Sequence, residues 1–237
     1  MPRLLEKHQP DFLVANAENA AGGVGLTPEL AMELFSLGLD VLTLGNHAFS
    51  KKEITSILDS ESRVIRPLNF PPGVPGRGYT VVERNGVRLG VINLLGRVFS
   101  DVHLDCPFRA ADVALSVLQD KVDFVMVDMH ADATSEKIAL ALYLDGRAGA
   151  VIGTHTHVQT ADERILPKGT AFITDAGMCG PVDSVIGMRP AESIQRFLTQ
   201  IPERLEVAAG KAMVQGVLVG WNNEGRATTI ERVTVRP

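Results

Sequence analysis

The chain alternates short apolar runs with stretches whose apolar residues recur at helical spacing. Apolar runs bounded by Gly, Asp or Asn are typical of buried strands. Thr27-Pro28 supplies a cap and a first-turn proline for a helix that ends near Gly38. We therefore predict strands at residues 11–17, 41–44, 124–127, 150–152 and 171–174, and further helices at residues 51–60, 110–119, 135–144 and 191–199.

Two turn signals add antiparallel pairing to this α/β rhythm. Asn85-Gly86 favours left-handed backbone and suits a tight hairpin between strands at residues 79–83 and 88–94. A second hairpin is expected to pair residues 213–219 with 228–235 through a turn at residues 222–225. Residues 66–78 are rich in Pro and Gly, so they predict an irregular entry to a small subdomain. The expected fold is α/β, with a mixed sheet and helices on both faces.

Composition narrows the class of protein. The chain has 237 residues, 45% of them hydrophobic and 22% charged, which suits one globular domain with a substantial core. Every apolar run is too short to span a membrane. The net charge of −5 argues against long nucleic acid as a partner. Two widely separated cysteines fit a reduced compartment, so we expect a soluble, cytoplasmic protein without a membrane partner.

Four apolar strands run directly into side chains that can bind metal. In an open α/β sheet, groups at the carboxyl ends of strands converge on one crevice. The segments are residues 13–19, 42–47, 124–130 and 151–157, and they end in Glu18-Asn19, Asn46-His47, His130 and His155-Thr156-His157. For any single histidine the default interpretation is a hydrogen-bonded core or loop residue. Four histidines in equivalent positions favour a shared site.

The residue types at these strand ends favour a metal site. Side chains alternate along an extended segment, so His155 and His157 lie on one side and suit one metal or two adjacent metals. Glu18 follows a buried strand, where a carboxylate requires a cation, a proton or several donors. Imidazole, carboxylate and amide oxygen are the mixed ligands expected for Mn, Fe or Zn.

The ordered set of motifs resembles the calcineurin-like metallophosphoesterases, and more narrowly the YmdB family. The resemblance covers nearly the whole chain, and it is carried by residues 16–23, 44–47, 51–53, 66–70, 93–97, 130–137, 145–147 and 153–158. It implies a mixed β-sheet sandwich flanked by helices. We expect a single domain over residues 1–237, with a hairpin-containing insertion at about residues 66–108.

The resemblance also implies a site and a reaction. Its expected ligands are Glu18 bridging two metal ions, His157 on the first ion, Asn46, His130 and His155 on the second, and Asn19 as a further ligand. His47 resembles the family's proton donor to the leaving oxygen. The implied cofactors are two divalent or mixed-valence ions, iron or manganese, with zinc as an alternative. The implied reaction opens 2′,3′-cyclic nucleotides at the 2′ ester by attack of metal-bound hydroxide.

The chain departs from the family at its start. Family members begin with a strand ending in Gly-Asp, whose aspartate binds the first metal, whereas residues 1–8 are typical of the end of the first helix. We therefore expect a chain that lacks this N-terminal strand. This keeps a second hypothesis open, a non-catalytic metal- or nucleotide-binding regulatory protein. A structural subunit explains the clustered ligands least well, although we expect a homo-oligomer. Asp175 is expected to orient a loop or a histidine.

Overall fold

The secondary structure follows the alternation of the sequence. A computed structural model describes residues 2–237. The helices are α1 (Pro2–His8), α2 (Pro28–Ser36), α3 (Ile54–Ser60), α4 (Pro107–Leu118), α5 (Thr134–Leu144) and α6 (Pro190–Thr199). The strands are β1 (Val14–Asn16), β2 (Val41–Thr43), β3 (Val64–Ile65), β4 (Tyr79–Arg84), β5 (Val87–Leu95), β6 (Phe124–His130), β7 (Ala150–Thr154), β8 (Arg164–Ile165), β9 (Ala171–Ile173), β10 (Cys179–Pro181), β11 (Ala212–Trp221) and β12 (Ala227–Val235).

Within the described residues, the strands form three sheets. The largest has the order β4-β5-β6-β7-β9-β8, with parallel pairs from β5 to β9 and antiparallel pairs at both edges. A second sheet, β1-β2-β3, is parallel, and a third, β10-β11-β12, is antiparallel. Parallel neighbours end at the same edge of a sheet, so β6 and β7 end together, as do β1 and β2.

The three sheets pack as a sandwich between helices. Val91 of β5 lies in a core cluster with Val41 of β2, and the partly buried Val217 of β11 packs against this cluster, so both small sheets pack on one face of the large sheet. The next residue, Ile92, points to the opposite face and packs with Leu115 of α4 and side chains of α5. Helices α2 and α3 cover the β1-β2-β3 sheet through a third cluster. The expected mixed α/β sandwich flanked by helices is confirmed.

Local signals in the sequence explain the main caps and turns. The Thr27 hydroxyl accepts the Leu30 N–H at 3.4 Å and caps α2, whose first residue is Pro28. Asn85 and Gly86 have φ values of 54° and 79°, the left-handed backbone of the expected two-residue turn between β4 and β5. The short strands β3, β8 and β10 were not predicted, because two or three residues carry no detectable period.

Four further points concern element boundaries, membrane spans and the division into domains. Strand β6 continues to His130, beyond the predicted end at residue 127, because His130 pairs with Leu95 and Thr154 in the neighbouring strands. The helix expected at residues 1–8 is observed as α1, with Met1 outside the described residues. Within residues 2–237, every helix is too short or too polar to cross a membrane. The division into one domain and an insertion at residues 66–108 stays a prediction.

Candidate metal centre

The predicted site residues lie together at the carboxyl ends of four strands. Glu18 and Asn19 follow β1, Asn46 and His47 follow β2, His130 ends β6, and His155 and His157 follow β7. Strands β1 and β2 belong to the three-stranded parallel sheet, whereas β6 and β7 belong to the six-stranded sheet. The site therefore forms where the ends of the two packed sheets meet, and both layers contribute to it.

His130 is the centre of this cluster. Its side chain is buried, with 1% of its surface exposed. Three atoms surround its Nε2: Asn46 Oδ1 at 2.9 Å, Glu18 Oε1 at 3.0 Å and His155 Nδ1 at 3.0 Å. One imidazole nitrogen carries at most one hydrogen, so a single hydrogen bond cannot account for all three close neighbours. This convergence is the arrangement expected around a cation.

Glu18 is held in the charged form. Its side chain is buried, and its Oε2 accepts the His47 N–H at 3.2 Å. Burial by itself raises the pKa of the carboxyl, but the hydrogen bond and the charge of His130 and the peptide hydrogen bond from His47 lower it. The lowering contributions are larger, so the pKa of Glu18 lies below its usual value. A buried carboxylate with this environment is a suitable ligand for a metal ion.

His155 and His157 take unusual backbone conformations to reach the cluster. Their φ values are 100° and 64°, in the left-handed region, where a non-glycine residue costs roughly 1–3 kcal/mol. Burial, and then the charge of His130, lowers the pKa of His155, which favours the neutral imidazole that binds metal. His157 Nε2 lies 3.2 Å from Asn19 Nδ2, and its Nδ1 lies 3.1 Å from the Ile186 carbonyl oxygen.

The side chains present fit a transition-metal ion. Glu18, His130 and His155 each offer one ligand atom, and these atoms lie within 4.8 Å of one another. Asn46 adds an amide oxygen beside them. Asn19 connects this cluster to His157, because its Nδ2 lies 3.5 Å from Glu18 Oε1. Mixed nitrogen and oxygen ligands suit Mn, Fe or Zn better than Ca or Mg.

Gly45 leaves the space in which this cluster forms. A Cβ atom at this position would overlap Glu18 Oε2 and the Cδ2 and Nε2 atoms of His130. The backbone of Gly45 does not have a positive φ, so the requirement is for space and not for conformation. A glycine before Asn46 is therefore needed for Glu18 and His130 to meet.

Comparison with known proteins identifies the family. Residues 1–233 match the family described as YmdB-like protein. The chain belongs to the YmdB-like family. It is 48% identical over 236 residues to the 2′,3′-cyclic-nucleotide 2′-phosphodiesterase of Bacillus subtilis (strain 168), an alignment that covers 99% of this chain and 89% of that protein.

Solved structures agree with this assignment. The crystal structure of a novel phosphatase from Mycoplasma pneumoniae superposes with a TM-score of 0.91 at 35% identity, covering 99% of this chain and 85% of that chain. A 5′-nucleotidase precursor from Thermus thermophilus shares the fold alone, with a TM-score of 0.54, 16% identity, and coverage of 99% of this chain and 47% of that chain. Membership of the family and the metallophosphoesterase-like fold are thus shown.

Two further predicted residues, His47 and Asp175, lie near the ligand cluster but make different contacts. The main chain of His47 contacts Glu18, while its Nδ1 lies 3.4 Å from Ser50 Oγ. The imidazole of His47 therefore stands beside the cluster without belonging to it. As expected, Asp175 orients a loop: its Oδ2 accepts the Thr156 N–H at 2.9 Å and the Thr156 hydroxyl at 2.7 Å.

A buried lysine that the sequence interpretation did not single out supports the same loop. Lys137 on α5 is fully buried, and its Nζ donates to Asp175 Oδ2 at 3.1 Å and to the Thr154 carbonyl at 2.7 Å. Asp175 is fully buried as well. Lys137 contacts Thr154, just before His155, and Asp175 contacts Thr156, just after it. The ion pair thus supports the strained segment after β7 from both sides of His155.

Asp128 is the second residue that the sequence interpretation missed. It is 1% exposed and lies two residues before His130, on the same face of β6. Burial raises the pKa of Asp128, while the charge of His130 and hydrogen bonds from Thr154, Thr43 and Asn16 act in the opposite direction. The sequence did contain a signal for Asp128: it is an aspartate within an apolar strand, two positions before a candidate histidine ligand.

Proposed function

We propose that this chain is a metal-dependent phosphodiesterase that hydrolyses 2′,3′-cyclic nucleotides at the 2′ ester. The observation that carries the proposal is the convergence of Asn46 Oδ1, Glu18 Oε1 and His155 Nδ1 on Nε2 of His130. The substrate class follows the name of the B. subtilis relative, which is 48% identical across nearly the full length of this chain.

The proposed ligands divide between two ions. Glu18 would contribute to both positions; its Oε1 lies beside His130 and its Oε2 accepts the His47 N–H. Asn46, His130 and His155 would hold one ion, and His157 with Asn19 would hold the other. We propose iron or manganese, with zinc as the alternative, since imidazole and carboxylate ligands do not separate these three metals.

The residues around the ions prepare the reaction. When bound, a pair of divalent ions supplies a nucleophilic water at neutral pH and neutralises charge on the phosphate. The chain's own contribution is to hold Glu18 ionised and His155 neutral by the environments described above. His47 stands beside the cluster and is proposed to donate a proton to the departing 2′ oxygen of the ribose.

The direct test is hydrolysis of a 2′,3′-cyclic nucleotide with added Mn²⁺ or Fe²⁺, together with the metal content of the purified protein. Glu18→Gln and His130→Ala are expected to lose both bound metal and activity. His103→Ala is the matched control, because His103 is exposed and outside the cluster. Metal binding without hydrolysis of any phosphodiester in the unaltered chain would instead favour the non-catalytic regulatory protein.

We also propose a homo-oligomer that works in the cytoplasm, without membrane or long nucleic-acid partners. Helix α6 exposes large apolar side chains, Phe197 and Leu198 at 75% each, which supports a protein contact. The two cysteines are free, as in a reducing compartment. Light scattering on a sizing column tests the oligomer, and a monomeric mass at micromolar concentration would contradict it.

A further inference from the structure

One side chain connects the segment after His157 to the β10-β11-β12 sheet. Gln159 follows His157 by two residues, and it is partly buried. Its Nε2 donates to the Gly216 carbonyl of β11 at 2.8 Å and lies 3.3 Å from the Val233 carbonyl oxygen of β12. The carbonyl oxygen of Ala176, in the loop after β9, lies at 3.2 Å. Gln159 thus joins the loop after β7 to two strands of a different sheet.

The chemistry of these contacts determines the orientation of the carboxamide. A carbonyl oxygen accepts hydrogen bonds and cannot donate them, so the atom that faces three carbonyls is the NH₂ group of Gln159. On the other side, Oε1 of Gln159 accepts the Thr234 hydroxyl at 3.1 Å. Both ends of the carboxamide therefore have partners in neighbouring segments, and these partners restrain the chain at Gln159.

The backbone of His157 requires such a restraint. Its φ of 64° lies in the left-handed region, and a non-glycine residue keeps this conformation only where the surrounding structure holds it. Directly after Gln159, the Thr160 N–H donates to the Asp175 carbonyl at 3.1 Å. The contacts of Gln159 and Thr160 therefore hold the chain immediately after the strained residue.

The other proposed metal position is supported by different contacts. His130 lies within β6 and pairs with residues of β5 and β7. His155 is followed by Thr156, whose N–H and hydroxyl donate to the Asp175 carboxylate. Gln159 takes part in none of these contacts. A change at Gln159 should therefore affect the position of His157 more than that of His130 and His155.

We propose that Gln159 is a positioning residue that holds His157 at its metal position. The β10-β11-β12 sheet contributes none of the proposed ligands, yet through Gln159 it would control the occupancy of one of the two positions. The inference rests on the proposed metal site, but the support of the loop can be measured without metal. Removing the residues that orient a metal ligand typically weakens metal binding about 10–100-fold.

The test compares two glutamines beside the same sheet. Gln159→Met removes the carboxamide at similar volume, and Gln159→Asn, one methylene shorter, is the milder variant. Gln215→Met is the matched control, because Gln215 lies in β11 and its Oε1 accepts the Met178 N–H at 3.4 Å. One readout is the number of bound Mn²⁺ ions and their Kd values. The other is amide hydrogen exchange of Thr156 and Thr160 in metal-free protein, measured by NMR.

In both Gln159 variants we expect one Mn²⁺ position to weaken about 10–100-fold while the other keeps its Kd. The Thr160 N–H should exchange faster in these variants, whereas the Thr156 N–H should keep its rate. Gln215→Met should match the unaltered chain in both readouts.

Equal weakening at both positions, Mn²⁺ binding that is the same in all four proteins, or an unchanged exchange rate at Thr160 would overturn the proposal. If no protein binds Mn²⁺ but Thr160 exchanges faster in the Gln159 variants, the result would support the positioning role of Gln159 and refute the proposed metal site.

Discussion

Replacing Lys137 tests how the loop after β7 is supported. Lys137 and Asp175 are both fully buried and lie 3.1 Å apart, and the lysine also donates to the Thr154 carbonyl at 2.7 Å. Lys137→Met keeps most of the side-chain volume but removes the charge and both hydrogen bonds. It leaves the carboxylate of Asp175 in the core without its cation.

The expected loss of stability is large. Removing one partner of a buried ion pair typically costs about 3–5 kcal/mol, because the remaining charge is uncompensated. Asp175 keeps three donors, the Thr156 N–H, the Thr156 hydroxyl and the Gly177 N–H, so the lower end of this range is expected. The double variant Lys137→Met/Asp175→Asn has no buried charge left and is expected to lose less than Lys137→Met alone.

The measurement is urea unfolding of metal-free protein, with the slope checked for each variant. Arg189→Met is the matched control, since it removes the cation of an ion pair with Glu206 whose side chains are about half exposed. Exposed pairs contribute roughly 0–1 kcal/mol. A loss below about 1 kcal/mol in Lys137→Met, equal to that of the control, would refute the claim that the buried pair supports the loop.

Three further predictions concern the site itself. Mn²⁺ at 100 times its Kd is expected to stabilise the unaltered chain by about 2.7 kcal/mol, and a chelator or Glu18→Gln should remove this increment in thermal unfolding. Gly45→Ala should abolish Mn²⁺ binding because its Cβ separates Glu18 from His130, whereas Gly216→Ala, which meets open space, should leave binding unchanged in titration calorimetry. His47→Asn is expected to lower kcat about 10²–10⁴-fold with unchanged metal content, and a parallel loss of metal would contradict its role as proton donor.

The elements that the sequence predicted well are those with local signals. The cap at Thr27 and the turn at Asn85-Gly86 depend on neighbouring residues only, and both are observed. The strand ends near Glu18, Asn46, His130 and His155 were recognisable because an apolar run stops at a polar group. This pattern also predicted that the groups meet, but the expectation assumed a single sheet, whereas the groups come from the ends of two packed sheets.

The hydrogen-bond partners of those groups could not be read from local patterns. Thr43 and Asp128 are 85 positions apart, and Lys137 and Asp175 are 38 apart. The burial of Lys137 could not be predicted either. The sequence of α5 does not show that a carboxylate from a distant segment will face this lysine.

The sequence by itself determined the order of the helices and of the strands other than β3, β8 and β10, and the chemical types of the site residues, because both depend on short-range period and composition. Only the tertiary structure decided that two separate sheets supply the ligands, that Nε2 of His130 faces them, and that Asp128 lies behind Thr154. These features depend on packing between distant segments, where a shift of one residue in strand register would turn every side chain to the other face.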